Sequence, residues 1–306
     1  MFKEDVTDSL ISELEQMGWK ARVVPIEVVA ELEEAYRRFH EQGAFDEEFY
    51  QEWLAERFKY SPADARSLIV VAVPNPHYEV RFTWQGEAHT LTVPPNYLSE
   101  KLNDQKVKNV LEKILASQGC YIVESVLPKK LLAVRSGLGE YGRNNICYVD
   151  GMGSYHNIGV FFSDVPCQAD EWREPQMAET CCKCTACIRA CPSGAISPER
   201  FLLKAELCLT YRNEKPGHVP FPSWVDSDWH NCLVGCLHCQ SACPMNKKVE
   251  PWVEMIGSFT QEETELIMKG TPAESLPAAT VEKLESHDLI SYLDVMPRNL
   301  DAIIKR

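Results

Sequence analysis

The sequence predicts an α+β protein in which a mixed α/β layer leads into a small cysteine-rich domain. Three observations carry this. Amphipathic helical stretches fill the first sixty residues. Ser67–Val73 is a continuous β-branched apolar run, of the kind found in a strand covered on both faces. Seven cysteines then fall in two short runs between Cys181 and Cys243, each closed by C-P.

Taken in order, residues 5–18 read as a helix whose apolar positions are Leu10, Ile11, Leu14 and Met17, stopped by Gly18. Two more helical stretches follow at about 27–41 (Val28, Val29, Leu32, Tyr36) and 46–58 (Phe49, Trp53, Leu54, Phe58). Ser67–Val73 is the buried strand. Val80–Val93 alternates around Gly86 and predicts a hairpin. Leu98–Gln118 is helical, Tyr121–Leu127 is a strand candidate, and Pro128 opens a short helix. Residues 135–164 are glycine-rich. Gly137, Gly139 and Gly142 have G-x-G-x-x-G spacing but lack the preceding strand of a dinucleotide site. Tight turns flanking an Ile146–Val149 strand and a close backbone approach to a ligand are both compatible with them. Past Pro251, a capping box at Thr260–Glu263 starts one helix, and a last helix follows Pro277. The expected organisation is a helical lead-in over 1–60, an α/β domain over 61–170, a cysteine-rich domain over 171–250 and a short helical tail over 251–306.

The chain has 306 residues, 45% hydrophobic and 25% charged, as in ordinary soluble proteins. No apolar run reaches membrane-spanning length, and Met1–Asp5 does not open a signal peptide, so a cytoplasmic location without a membrane partner is expected. Net charge is −14, and residues 251–306 hold ten acidic against five basic side chains. That balance predicts no large nucleic-acid surface.

The first cysteine run, Cys181, Cys184, Cys187 and Cys191 before Pro192, has the spacing C-x2-C-x2-C-x3-C-P of proteins that hold two [4Fe-4S] clusters. The second, Cys236, Cys239 and Cys243 before Pro244, lacks a fourth local cysteine, which Cys208 can supply. In such proteins the cysteine before proline serves the other cluster. The expected sets are therefore Cys181, Cys184, Cys187 and Cys243 for one cluster, and Cys208, Cys236, Cys239 and Cys191 for the second. A zinc site would use C-x2-C pairs without the C-x3-C-P ending, and disulfides are disfavoured in a cytosolic chain. Of the 13 cysteines, Cys120, Cys147, Cys167, Cys182 and Cys232 remain, read as small buried hydrophobes.

S-G-L-G-E-Y-G-R-N-N, G-S-Y-H-N-I-G-V-F-F-S-D, the first cysteine run, C-L-T-Y and N-C-L-V-G-C-L-H-C-Q-S-A-C-P-M-N together resemble the epoxyqueuosine reductase family, whose superfamily includes the reductive dehalogenases. The resemblance covers about residues 64–248. It implies a nitroreductase-like α/β cobalamin domain over 61–170, fused to a two-cluster ferredoxin-like domain. The clusters would pass electrons to cobalt, which reduces a bound substrate. Gly137, Gly139, Gly142, Arg143, Asn144, Gly153, Ser154, Tyr155 and Gly159 would then line the corrin, and Glu124, Tyr141 and His156 are the candidate proton donors. Where the family carries an aspartate in a D-[ST]-x-P segment, this chain has Val123, with Glu124 beside it. The family's longer helical-repeat domain, which helps hold tRNA, is matched by a short acidic tail. The expected partners are an external electron donor such as a ferredoxin or flavodoxin and a small-molecule or modified-nucleoside substrate, with nucleic acid not expected, although the charge balance leaves room for a small basic groove. An electron-transfer protein serving a partner and a true tRNA epoxyqueuosine reductase are the alternatives.

Overall fold

A computed structural model describes residues 4–98, 100–167 and 172–305. The opening residues 1–3, Ser99 in the expected fourth helix and the expected boundary at 170/171 lie outside the described residues. The chain divides into two compact units. The first is Met1–Pro74, Glu100–Cys184 and Arg200–Leu202; the second is Asn75–Ser99, Thr185–Glu199 and Leu203–Arg306. These units are discontinuous, whereas the sequence suggested four consecutive segments.

The first unit is built on a four-stranded antiparallel sheet. Its order is β1 (Lys20–Pro25), β2 (Ser67–Pro74), β8 (His156–Ser163) and β5 (Ile122–Glu124). Successive side chains of β2 point to opposite faces. Leu68, Val70 and Ala72 join Val24, Val28, Leu32, Leu132, Val160 and Phe162 in one core, between the sheet and helices α2 (Val28–Glu41) and α5 (Lys129–Arg135). Ile69, Val71 and Val73 join Leu10, Leu14, Val107, Leu111 and Phe161 in another, under α1 (Glu4–Gln16) and α4 (Glu100–Ala116). Two covered faces explain the unbroken apolar run, and each fully buried Leu, Val or Phe contributes about 1.5–3 kcal/mol.

Two strands were not anticipated. β1 carries Lys20 and Arg22 on an edge, which breaks the apolar pattern. All eight residues of β8 are buried, yet H-N-I-G-V-F-F-S read as part of a glycine-rich loop. Its pairing with β2, Val160 opposite Val70, outweighs the weak local propensity of His156, Asn157 and Gly159. The third helix, α3 (Glu47–Trp53), is shorter than expected and begins at Asp46, whose carboxylate accepts the Phe49 N–H. A small hairpin, β6 (Glu140–Tyr141) with β7 (Cys147–Tyr148), completes the unit.

The second unit contains the expected hairpin, β3 (His77–Trp84) and β4 (Glu87–Val93). Gln85 and Gly86 both have positive φ, 51° and 82°, as a two-residue hairpin turn of matching twist requires. An unanticipated strand, β9 (Val253–Phe259), pairs parallel with β3, and Phe82 stacks on Phe259 at 4.9 Å. The capping box forms as read: Thr260 and Glu263 bond reciprocally at the start of α9 (Gln261–Met268). Helices α10 (Ala278–Glu285) and α11 (Met296–Ile304) add Leu284, Met296 and Leu300 to the core of Val80, Phe82 and Phe259. Residues 251–306 are therefore part of the second unit's core. Its cysteine-rich part holds three short helices: α6 (Ala186–Ala190), α7 (Leu209–Glu214) and α8 (His238–Ser241). No helix among the described residues is long and apolar enough to cross a membrane.

Candidate iron–sulfur site

All 13 cysteines are free thiols. In the second unit α6 and α8 pack against each other, and each ends on a C-P cysteine. Cys191 follows α6 with φ −79°, ψ 107°, and Cys243 follows Ala242 after α8 with φ −79°, ψ 122°. In both places the cysteine N–H closes the helix, on Cys187 O at 3.1 Å and on Gln240 O at 3.1 Å, and proline then turns the chain away. The two cysteines share an extended backbone, although Cys191 closes on the fourth residue back and Cys243 on the third.

Cys208 stands at the N-cap of α7. Burial raises its thiol pKa, an effect that the polar groups of Thr210 and Tyr211 nearby oppose and the Cys191 sulfur adds to. Burial also raises Cys236, opposed by the His238 N–H, while the neighbouring sulfurs of Cys232, Cys208 and Cys191 raise it further. Cys191, Cys208 and Cys236, from three separate stretches of chain, therefore share one electrostatic neighbourhood. Cys232 lies there too, buried as its sequence reading expects.

Gly235, next to Cys236, lies against an aromatic ring: a Cβ there would meet the Tyr97 ring at 2.8 Å. Tyr97 donates its hydroxyl to Glu214 on α7 at 2.5 Å, so one residue of the 75–99 segment braces both stretches. The bracing role of Tyr97 was not identified from the sequence.

In the first unit, Arg143 donates Nη2 to Cys181 O at 2.6 Å and Nε to Cys184 O at 3.1 Å. Both bonds tie Arg143 to the first cysteine loop. Cys181 is buried, whereas Cys182 is exposed.

The glycine-rich loop also departs from expectation. A Cβ on Gly139 would meet Cys147 Sγ and Tyr148 O, each at 2.8 Å. One on Gly142 would meet Asn144 Oδ1 and Tyr148 Cε2, each at 2.5 Å, and one on Gly159 the Phe161 ring at 3.0 Å. The close approach is real, but the neighbour is the chain itself. Asn144 donates to the Tyr148 hydroxyl, and Ser154 and Tyr155 are buried. Gly137 and Gly153 have φ of 75° and 56°. These contacts account for Gly139, Gly142 and Gly159 by packing within the chain.

The three acid candidates separate by burial. His156 donates Nε2–H to Cys147 O at 3.1 Å, and its Nδ1 is buried without a partner. Burial pushes its pKa down to about 4, so it is neutral near pH 7 with its proton engaged. Burial raises the Tyr141 phenol well above its usual range, and its ring packs on Phe201 at 5.2 Å. Glu124, at the end of β5, is exposed. A consequence for stability follows from His156. An unfolded histidine protonates near pH 6.5, whereas the buried one resists to about 4, so its contribution is complete above 6.5 and lost as pH falls toward 4. The loss amounts to about 3 kcal/mol. Urea unfolding at pH 7.5 and 5 is expected to show less pH dependence in His156→Gln than in wild type; equal dependence would contradict the buried neutral state.

This fold and these cysteines define an iron–sulfur protein of the double-cluster class. Residues 180–246 match the family described as a 4Fe-4S double cluster binding domain. In sequence the chain is similar to epoxyqueuosine reductases. It is 30% identical over 206 residues to the epoxyqueuosine reductase of Pseudomonas aeruginosa, covering 65% of this chain and 52% of that one. With the Aliivibrio fischeri enzyme it shares 30% over 200 residues, 64% and 50% of the two chains. The chain thus spans about half the length of the curated relatives it matches. In fold it is similar to epoxyqueuosine reductase from Streptococcus thermophilus, with TM-score 0.67, 17% identity, and 98% and 81% of the two chains covered. It is also similar to an epoxyqueuosine reductase solved with an epoxyqueuosine-modified tRNA-Tyr stem loop, with TM-score 0.64, 19% identity, and 98% and 80% covered.

That last structure corrects the expectation against nucleic acid. Net charge averages over a whole surface, whereas a stem loop needs only a local footprint, so −14 does not decide the matter.

Proposed function

We propose that the chain is an iron–sulfur reductase of the epoxyqueuosine reductase type, acting on a modified nucleoside within a tRNA stem loop. The observation that carries this is the double-cluster cysteine set, within a chain similar to those enzymes along its matched length. One [4Fe-4S] cluster takes Cys181, Cys184, Cys187 and Cys243; the other takes Cys208, Cys236, Cys239 and Cys191. Each cluster passes one electron at a time. Removing an epoxide oxygen takes two electrons and two protons, giving an alkene and water. Glu124 is the candidate acid open to solvent, and the proposal keeps it in that role. A cytoplasmic location suits free thiols and a tRNA substrate.

The test is incubation of anaerobically purified, reduced protein with tRNA from a strain blocked at this reduction, followed by nucleoside analysis. Conversion of epoxyqueuosine to queuosine is expected, with Glu124→Gln slower by about 100-fold or more. Iron-loaded protein that oxidises and reduces reversibly yet leaves the nucleoside unchanged would overturn the tRNA reading and favour an electron carrier.

A further inference from the structure

We propose that α11 is a positioning element for the second cluster, in which Asn299 ties its two ligand-bearing arms together. The inference rests on reading Cys208 and Cys236 as ligands of one cluster. Asn299 is 1% exposed, and its side-chain amide donates to two backbone carbonyls, Asn213 O at 3.2 Å and Leu233 O at 2.9 Å. Asn213 lies on α7, the helix that Cys208 caps, and Leu233 lies just ahead of Cys236. Asn213, also 1% exposed, repeats the link by donating its own amide to Gly235 O at 2.6 Å, immediately before Cys236. Neighbouring Arg298 donates to Asn213 O at 2.7 Å and Val219 O at 2.8 Å.

The two arms are far apart in sequence and have no strand ladder between them. Side-chain amides take the place of that ladder, and an amide NH2 can satisfy two carbonyls at once, which no apolar residue can do. The consequence runs through α7. Cys208 is the residue on which α7 begins, so holding Asn213 in place holds that ligand in place, and the setting of the ligands helps fix a cluster's potential. Asn299 is thus a positioning residue: it touches no sulfur and acts through α7 and the Cys236 loop.

The test uses the full chain, purified anaerobically, with iron analysis, EPR during redox titration and thermal unfolding on each preparation. Asn299→Leu is expected to lower iron from about eight to about four per chain, leaving one cluster whose midpoint potential matches a wild-type value. Asn299→Ser, which keeps one donor, is expected to retain more of the second cluster, with its potential shifted. Leu284→Ala removes packing from the same unit without touching these carbonyls, and is expected to lower Tm while keeping both clusters. Wild-type iron and potentials in both Asn299 variants would overturn the proposal. So would selective loss of the same cluster in Leu284→Ala at an equal fall in Tm. If wild type itself held no second cluster, the ligand assignment would fail first and the tie with it.

Discussion

Cys208→Ala is expected to lose the second cluster and keep the first, so that iron falls from about eight to about four per chain. Cys208 is the one ligand supplied from outside both cysteine runs, at the residue on which α7 begins, so no neighbouring cysteine of a run can take its place. Cys191→Ala should lose the same cluster although Cys191 belongs to the first run, because its charge is felt at Cys208 and Cys236. Cys243→Ala should damage the other cluster, while exposed Cys182→Ala should leave iron unchanged. Iron analysis with EPR of the reduced variants checks all four. Cluster loss confined in each variant to its own local run would refute the crossed arrangement.

What was legible in the sequence had a local cause. Ser67–Val73 could be read because both faces of β2 are apolar, and the Thr260–Glu263 box because both bonds lie within one turn. The cysteine spacing is likewise local, since a helix of fixed pitch separates Cys187 from Cys191. What was missed is held by partners distant in sequence. β8 is a strand because β2 and β5 flank it, and β9 because β3 accepts it in parallel register. Arg143 gives no sign in sequence that it will bond Cys181 O and Cys184 O. The expectation against nucleic acid failed for a related reason, in that a whole-chain charge says little about a small local surface.

The glycine-rich loop illustrates the same limit, and it supports the other large prediction. Gly139→Val is expected to disrupt the fold of the first unit, in contrast to a loop that only approaches a ligand. The added Cβ would lie 2.8 Å from Cys147 Sγ and from Tyr148 O, and 3.3 Å from Val149 Cγ2. Tyr148 O belongs to the β6–β7 hairpin, where Glu140 pairs with Tyr148, so it cannot swing aside as a flexible side chain would. Valine brings two further methyl groups into the same space. Overpacking a tight site costs about 1–3 kcal/mol even when side chains yield, and an opposing backbone puts this variant at or above about 3 kcal/mol. Gly151 is the control. Its φ of 77° suits glycine or asparagine, yet a Cβ there has nothing within 4 Å, so Gly151→Asn should cost less than about 1 kcal/mol. Thermal unfolding of both variants, with iron measured on the same samples, separates the cases. A Gly139→Val protein that melts with wild type would mean that Tyr148 O gives way, and would return the loop to the role of a ligand cradle.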